Sequence, residues 1–334
     1  MEITPEIKKQ LEAQKANCIF CKIISGEMEG TKVYEDDKMQ GILDIRPAVK
    51  GHILLLPKEH YPIMPFLPPE DFKHIFGKLP QILKALKETT VRTGITVFIA
   101  NGGVAGQQSP HFLIHALPRE EGDGLDKYSF SEDKHVDKNQ QQQINQVLAK
   151  NLPVMMANHF KRQPAAWHEG TGERPTHLDD IQQVLYEDEL VVIASPPEPQ
   201  ALGHLIVYSK EANAIEDISS MGSSHLFYTA SYGATAVFEG LKAQGSNIIL
   251  KSGVSSDNPT GRLEVHILPR YENDGLDLMW TPQERADTSI AGPLNDAMFV
   301  VANTKDTLPK IYARLTFGSP KEEIEHAIKQ IQES

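Results

Sequence analysis

Long apolar runs are missing from this chain: no stretch approaches about eighteen uninterrupted apolar residues, so no transmembrane helix is expected. Cysteine is nearly absent as well. The two present, Cys18 and Cys21, form a single Cys-x-x-Cys. That excludes a disulfide framework and fits a reducing cytoplasm, with either a metal site or a redox pair. Positive charge is in deficit, with 33 Lys and Arg against 45 Asp and Glu and a formal net charge of −12. An acidic chain gains little from counterion release, so binding along a nucleic-acid backbone is disfavoured. A local basic site for one small phosphate ligand stays open. Residues 1–16 lack the apolar core of a signal peptide; charged and rich in Glu, Lys and Gln, they read as an exposed helix.

What is present is an ordinary globular balance, 40% hydrophobic and 23% charged over 334 residues, enough for two domains with a core each. The chain also repeats itself. Val33-Tyr34-Glu35-Asp36 returns as Leu185-Tyr186-Glu187-Asp188, and Gly51-His52-Ile53-Leu54 as Gly203-His204-Leu205-Ile206, both 152 positions later. Lys58-Glu59 returns as Lys210-Glu211 in the same register. His115 and Leu117-Pro118-Arg119 return as His266 and Leu268-Pro269-Arg270, followed by Asp-Gly-Leu-Asp at 123–126 and 274–277, now 151 positions later. Five blocks in nearly one register indicate a tandem duplication, here called copy one and copy two.

Each copy carries the same coarse order of elements. In copy one, strands are expected near 32–34, 40–45 and 52–56, a long helix over 70–91, and strands at 96–100 and 111–117. The helical stretch has apolar residues at Phe72, Ile75, Phe76, Leu79, Ile82, Leu83 and Leu86, and Pro80 inside it is expected to kink or divide it. In copy two the helix is expected over 221–243 and the last strands at 247–251 and 263–268. The fold class is therefore α+β, each unit a mostly antiparallel sheet with one long helix. The stretch between the copies is Gln-rich at 140–143, but Ile144, Val147 and Leu148 at helical spacing favour a helix there. A helix is also expected over 320–332. The expected organisation is an N-terminal extension (1–16), copy one (17–128), a partly helical linker (129–175), copy two (176–280) and a C-terminal extension (281–334).

The segment with most chemical content is His111-Phe112-Leu113-Ile114-His115-Ala116-Leu117-Pro118-Arg119. On a strand, His111, Leu113 and His115 project from one face, like a three-histidine site whose centre is leucine. The plain alternative is a half-buried strand with two histidines and no chemistry. The segment resembles the signature of the histidine triad (HIT) superfamily of nucleotide hydrolases and transferases, which runs His-x-His-x-His before Pro-Arg. In that family the middle histidine attacks the α-phosphate and carries the nucleotidyl intermediate. Leu113 occupies that position here, and it can neither attack nor move a proton.

The resemblance implies more for copy one. It implies one structural zinc held by Cys18, Cys21, His60 of Pro57-Lys58-Glu59-His60, and His111; the alternative is a redox pair with two unrelated histidines. It places Asp44 against the ribose hydroxyls, although an aspartate before Arg46-Pro47 also suits a turn. It sets His52, Asn101 and His115 beside the phosphate, and Phe20, Ile23 and Ile45 around the base. Where the family has a serine or threonine after Gly-Gln, this chain has Gln108, which donates a hydrogen bond but from a different place.

Copy two departs further. The cysteine positions are Gly170 and Glu173, the His60 position is Ala212, and the Asp44 position is Pro196. The triad positions read Arg262, Glu264 and His266, with His204 retained. Arg262 and Glu264 are expected to share a face, to pair and to fill the cavity, and a carboxylate at the central position repels phosphate. By the resemblance, the two copies pair as an intrachain pseudodimer, copy one keeping the ligand site and copy two serving as its partner. The expected function is binding of a purine mononucleotide or derivative with little or no nucleotidyl transfer. The alternatives are a phosphohydrolase using His115 or His52 as general base without a covalent step, and a scaffold that binds a protein partner through the C-terminal extension.

Overall fold

The computed structural model describes residues 5–130, 136–162, 171–282 and 287–304. Copy one supplies strands β1 (Lys32–Glu35), β2 (Met39–Leu43), β3 (Ile53–Pro57), β4 (Gly94–Asn101) and β5 (Ile114–Arg119). Copy two supplies β6 (Val184–Glu187), β7 (Val191–Ala194), β8 (Leu205–Ser209), β9 (Gly245–Gly253) and β10 (Glu264–Arg270). All ten form one antiparallel sheet in the order β1-β2-β3-β5-β4-β9-β10-β8-β7-β6. The two copies therefore join as the expected pseudodimer, but through β4 and β9, the next-to-last strand of each copy, and not through the last strands. At the centre of that seam Phe98 faces Ile249, its own counterpart one repeat later, which marks the pseudo-twofold axis.

The repeated blocks hold the backbone. Asp36 accepts from Lys38 N and Met39 N at 2.8 Å each and closes the β1–β2 turn; Asp188 does the same with Leu190 N and Val191 N. His74 and Tyr34 bind Asp36 as His225 and Tyr186 bind Asp188. Gly51 and Gly203 sit at φ +85° and +83°, and a Cβ would lie 2.7 Å from Thr90 Cγ2 or 2.4 Å from Leu241 Cδ1. Glycine is the residue that such a turn admits.

Helices α3 (Pro69–Thr90) and α5 (Ser220–Leu241) cover one face of the sheet. Phe76 stacks on its counterpart Phe227 at 4.5 Å between centroids, across the axis. Pro80 does not divide α3. A proline leaves the carbonyl four residues earlier without its donor, and here Ser223 Oγ of α5 donates to Phe76 O at 2.7 Å. The partner helix thus satisfies the group that the proline orphans.

Two further helices flank the N-terminal segment, α1 (Pro5–Asn17) and α2 (Ile19–Ser25). The expected linker helix is α4 (Lys138–Arg162), and the C-terminal extension contributes α6 (Ala291–Asn303). Each crosses to the other copy. Helix α4 packs on β6 and α5, while α6 packs on β1 and α3. Leu294, Met298 and Val301 of α6 are buried in the helix-side core, and buried Lys78 of α3 donates to Val301 O at 3.1 Å at its C-terminal end. The helix expected over 320–332 lies outside the described residues. No described helix is long and apolar enough to cross a membrane.

Candidate functional site

The strand expected from 111 begins only at Ile114, and this separates the two histidines. Phe112 N donates to Tyr61 O, beyond the end of β3, so the chain before Ile114 has left the ladder. His111 and His115 consequently serve two different clusters.

The first cluster is Cys18, Cys21, His60 and His111, whose ligand atoms lie within 4.8 Å of one another. Cys18 Sγ is 3.5 Å from His111 Nδ1, and Cys21 Sγ is 3.3 Å from His60 Nδ1 and 3.6 Å from His111 Nδ1. Metal–ligand lengths of about 2.3 Å for sulfur and about 2.0 Å for nitrogen give tetrahedral S–N edges of roughly 3.5 Å. The four groups therefore fit a zinc-sized ion. His111 Nε2 donates to Pro57 O at 2.9 Å, which turns the Nδ1 lone pair toward the cluster. Burial holds His60 and His111 down to about 4, so both are neutral, as ligands must be. Burial and the adjacent Cys18 push the Cys21 thiol up to about 12; a cation held by the cluster would make it a thiolate.

The second cluster is a hydrogen-bonded relay. Ala48 N donates to His52 Nδ1 at 3.1 Å, so His52 carries its proton on Nε2. That nitrogen lies 3.1 Å from His115 Nδ1, which must accept. His115 thus presents Nε2–H outward, and no described residue accepts it. Burial holds both imidazoles down to about 3, so the pair is neutral. Asp44 stands beside it, with Oδ1 accepting from Arg46 N at 2.8 Å and Oδ2 3.6 Å from His52 Nδ1. Trp280, at the very end of copy two, sets its ring edgewise against both imidazoles at 5.1 Å.

Next to the relay, Phe20, Ile23 and Ile24 of α2 pack with Ile42, Leu54, Leu56 and Leu113 into an apolar floor. Ile45 is not in that floor; it is 77% exposed in front of Asp44. Gln108 is exposed, and its buried neighbour Gln107 holds the loop instead, accepting from Gly102 N and donating to Ser109 O. Asn101 does not join the relay. Its Oδ1 accepts from Met64 N at 3.0 Å, its Nδ2 donates to Ser246 Oγ at 3.4 Å, and strand alternation groups it with Ile95, Val97 and Ile99 on the helix side. Ser252, its counterpart, makes the same bond to Ile215 N, so the position ties a loop to the sheet in both copies.

Copy two repeats the relay and extends it. Gln200 N donates to His204 Nδ1, His204 Nε2 to His266 Nδ1, and His266 Nε2 to Glu264 Oε2, each at 3.1 Å. Burial lowers His266 to about 4 and His204 well below its ordinary value. Against burial, which raises a carboxyl, the His266 hydrogen bond and the charges of Lys251 and Arg262 hold Glu264 down to about 2. Lys251 Nζ stands 3.6 Å from Glu264 and 5.0 Å over the Phe130 ring. Arg262 does not pair with Glu264 as expected. It precedes β10 and turns to the exposed Asp180, with both carboxylate oxygens at 2.9 Å. Nor is the cavity filled: about 650 Å³ remains in front of Glu264.

Three residues stand at these sites unannounced by the motifs: Trp280, Phe130 and Lys251. The buried guanidinium of Arg119, bound to Asp123, and that of Arg270, bound to Asp274, anchor the loops that carry the two rings across the axis. The repeated Pro-Arg and Asp-Gly-Leu-Asp blocks were the available signal.

The HIT domain family profile matches residues 25–122 and 179–273, more than half of the chain. The chain belongs to the HIT family. This HIT protein is 40% identical over 120 residues to an uncharacterized HIT-like protein of Methanocaldococcus jannaschii, covering 36% of this chain and 92% of that one. It is 41% identical over 109 residues to adenylylsulfatase HINT3 of Arabidopsis thaliana, covering 33% of this chain and 55% of that one. Among solved structures, a zinc-bound histidine triad family protein from Mycobacterium smegmatis is 35% identical, with a TM-score of 0.30, over 32% of this chain and 81% of that one.

Proposed function

We propose that copy one binds a purine mononucleotide and forms no histidine-linked intermediate with it. The observation that carries the reading is the outward His115 Nε2–H, a donor without an acceptor among the described residues, set beside Trp280. It suits a phosphate oxygen. Asp44 Oδ2 suits a ribose hydroxyl, and the floor formed with Phe20, Ile23 and Leu113 suits a base, with Ile45 over its open edge. HINT3, an adenylylsulfatase by name, supports an adenylyl ligand.

The same relay argues against turnover. Leu113 stands where the family has its nucleophile. A general base needs a free lone pair, and His52 Nδ1 and His115 Nδ1 already accept hydrogen bonds. The relay therefore favours a binder over the non-covalent hydrolase. Cys18, Cys21, His60 and His111 would hold one structural zinc, which would fix α2 to the segment before β5 and so to the base floor. Thiolate ligands of this kind suit a reducing cytoplasm.

The test is titration of the zinc-loaded full chain with adenosine 5′-monophosphate, with products and intact protein mass followed together. Saturable binding without adduct is expected, weakened by about 1.5–3 kcal/mol in Asp44→Ala, the scale of a hydrogen bond to a charged group. Unchanged affinity in that variant, or a nucleotidyl adduct on His115, would overturn the reading. Absence of any binding would leave the scaffold as the better account.

A further inference from the structure

The cavity of copy two is a second, chemically different site. Its volume of about 650 Å³ falls in the range of small-ligand pockets. One wall is apolar, with Ile181, Ala194, Ile206 and Tyr208 packed together. Phe130 closes the relay end, and Gln182, Asn258 and Thr260 offer neutral polar groups along the lining. The charges on the lining are two cations, Lys251 and Arg262, against four carboxylates, Asp180, Glu198, Glu264 and Asp257, the last already paired with buried Arg119. Both cations are engaged, Arg262 with Asp180 and Lys251 beside Glu264.

The decisive contrast lies in the relay. In copy one the outward imidazole N–H is open, whereas in copy two the same N–H is taken by Glu264 at 3.1 Å. The Glu264 carboxylate thus stands where an anionic group of a ligand would have to come, and it brings its own negative charge. A phosphate entering there meets a charged carboxylate and loses the one donor that the relay offers. An uncharged ring loses nothing and gains the apolar wall and the two aromatic rings. We propose that copy two binds an uncharged heteroaromatic molecule of up to nucleoside size, and that Glu264 selects it against its phosphorylated counterpart. This site is separate from the nucleotide site of copy one.

Methyl NMR on the full, zinc-loaded chain with labelled isoleucine tests the proposal. Ile181 and Ile206 report copy two and Ile42 reports copy one, each assigned by its Ile→Val variant. The probes are adenine, adenosine, inosine and cytidine, with the 5′-monophosphates of the three nucleosides. At least one uncharged probe is expected to shift Ile181 and Ile206 saturably. Its phosphorylated form should need roughly tenfold or more higher concentration for the same shift, and Glu264→Gln should remove most of that difference. The proposal is overturned if no uncharged probe moves these methyls at millimolar concentration. It is equally overturned if a monophosphate moves them as readily as its nucleoside, or if Glu264→Gln leaves the discrimination intact. Shifts confined to Ile42 belong to copy one and count against it.

Discussion

Lowering the pH from about 7.5 to about 5.5 should cost this protein a large part of its stability. Four imidazoles are neutral relay members, His52, His204 and His266 buried and His115 half-buried, and desolvation holds His52 and His115 to about 3 and His266 to about 4. His204 lies well below its ordinary value for the same reason. In the unfolded chain each titrates near 6.5, so below that pH the unfolded state binds more protons and is favoured. The contribution is fully present above the unfolded value and is lost as pH falls from there toward the folded values. Each imidazole is worth about 1.4 kcal/mol over that pH step, and four are worth roughly 5 kcal/mol. That is comparable with the whole stability of a typical domain. Urea unfolding at the two pH values measures it, with zinc content followed in parallel because His60 and His111 also take up protons when metal leaves. The double variant His204→Gln, His266→Gln should lose about half of the pH sensitivity. A wild-type change below about 1 kcal/mol would refute the neutral relay.

Cys18→Ser should release about one zinc per chain by metal analysis and raise proteolysis within α1 and α2; retention of a full equivalent would reject the four-ligand site. Leu113→His combined with Gln108→Ser should create or raise phosphoramidate hydrolysis relative to the unmodified chain. Fast wild-type turnover would show that Leu113 does not stand in the reacting position. Phe76→Ala removes the ring stacked on Phe227 and should cost about 3–5 kcal/mol in a denaturant titration, with both copies losing protection together. Loss confined to copy one would mean that the two helices do not form a shared core.

The repeat was legible because the recurring residues each answer a backbone need. Asp36 and Asp188 close turns, Gly51 and Gly203 occupy left-handed turns, and Arg119 and Arg270 anchor loops. Such positions leave local traces. The continuous apolar run of β3, buried on both faces, and the helical spacing of apolar residues in α3 were equally readable. His111 was misplaced because strand alternation cannot reveal where a ladder ends; that depends on Phe112 N finding Tyr61 O. Asn101 was misread because its partners, Met64 N and Ser246, lie far along the chain. Lys251 looked like an ordinary strand lysine, and its burial over Phe130 follows only from the crossing of segments between copies. Trp280 was hidden for the same reason.

That crossing ties the fate of each half to the other while leaving their chemistry separate. In a dimer of identical chains, every change of residue appears at both sites at once, so a site cannot be given up without losing its twin. Here Leu113 and Glu264 occupy equivalent places and are inherited separately. One relay ends in an open donor and the other in a carboxylate. One covalent chain keeps them at fixed one-to-one stoichiometry, and neither half has to find its mate by diffusion. Covalent linkage has turned a symmetric frame into a place where two unlike pockets can be held side by side.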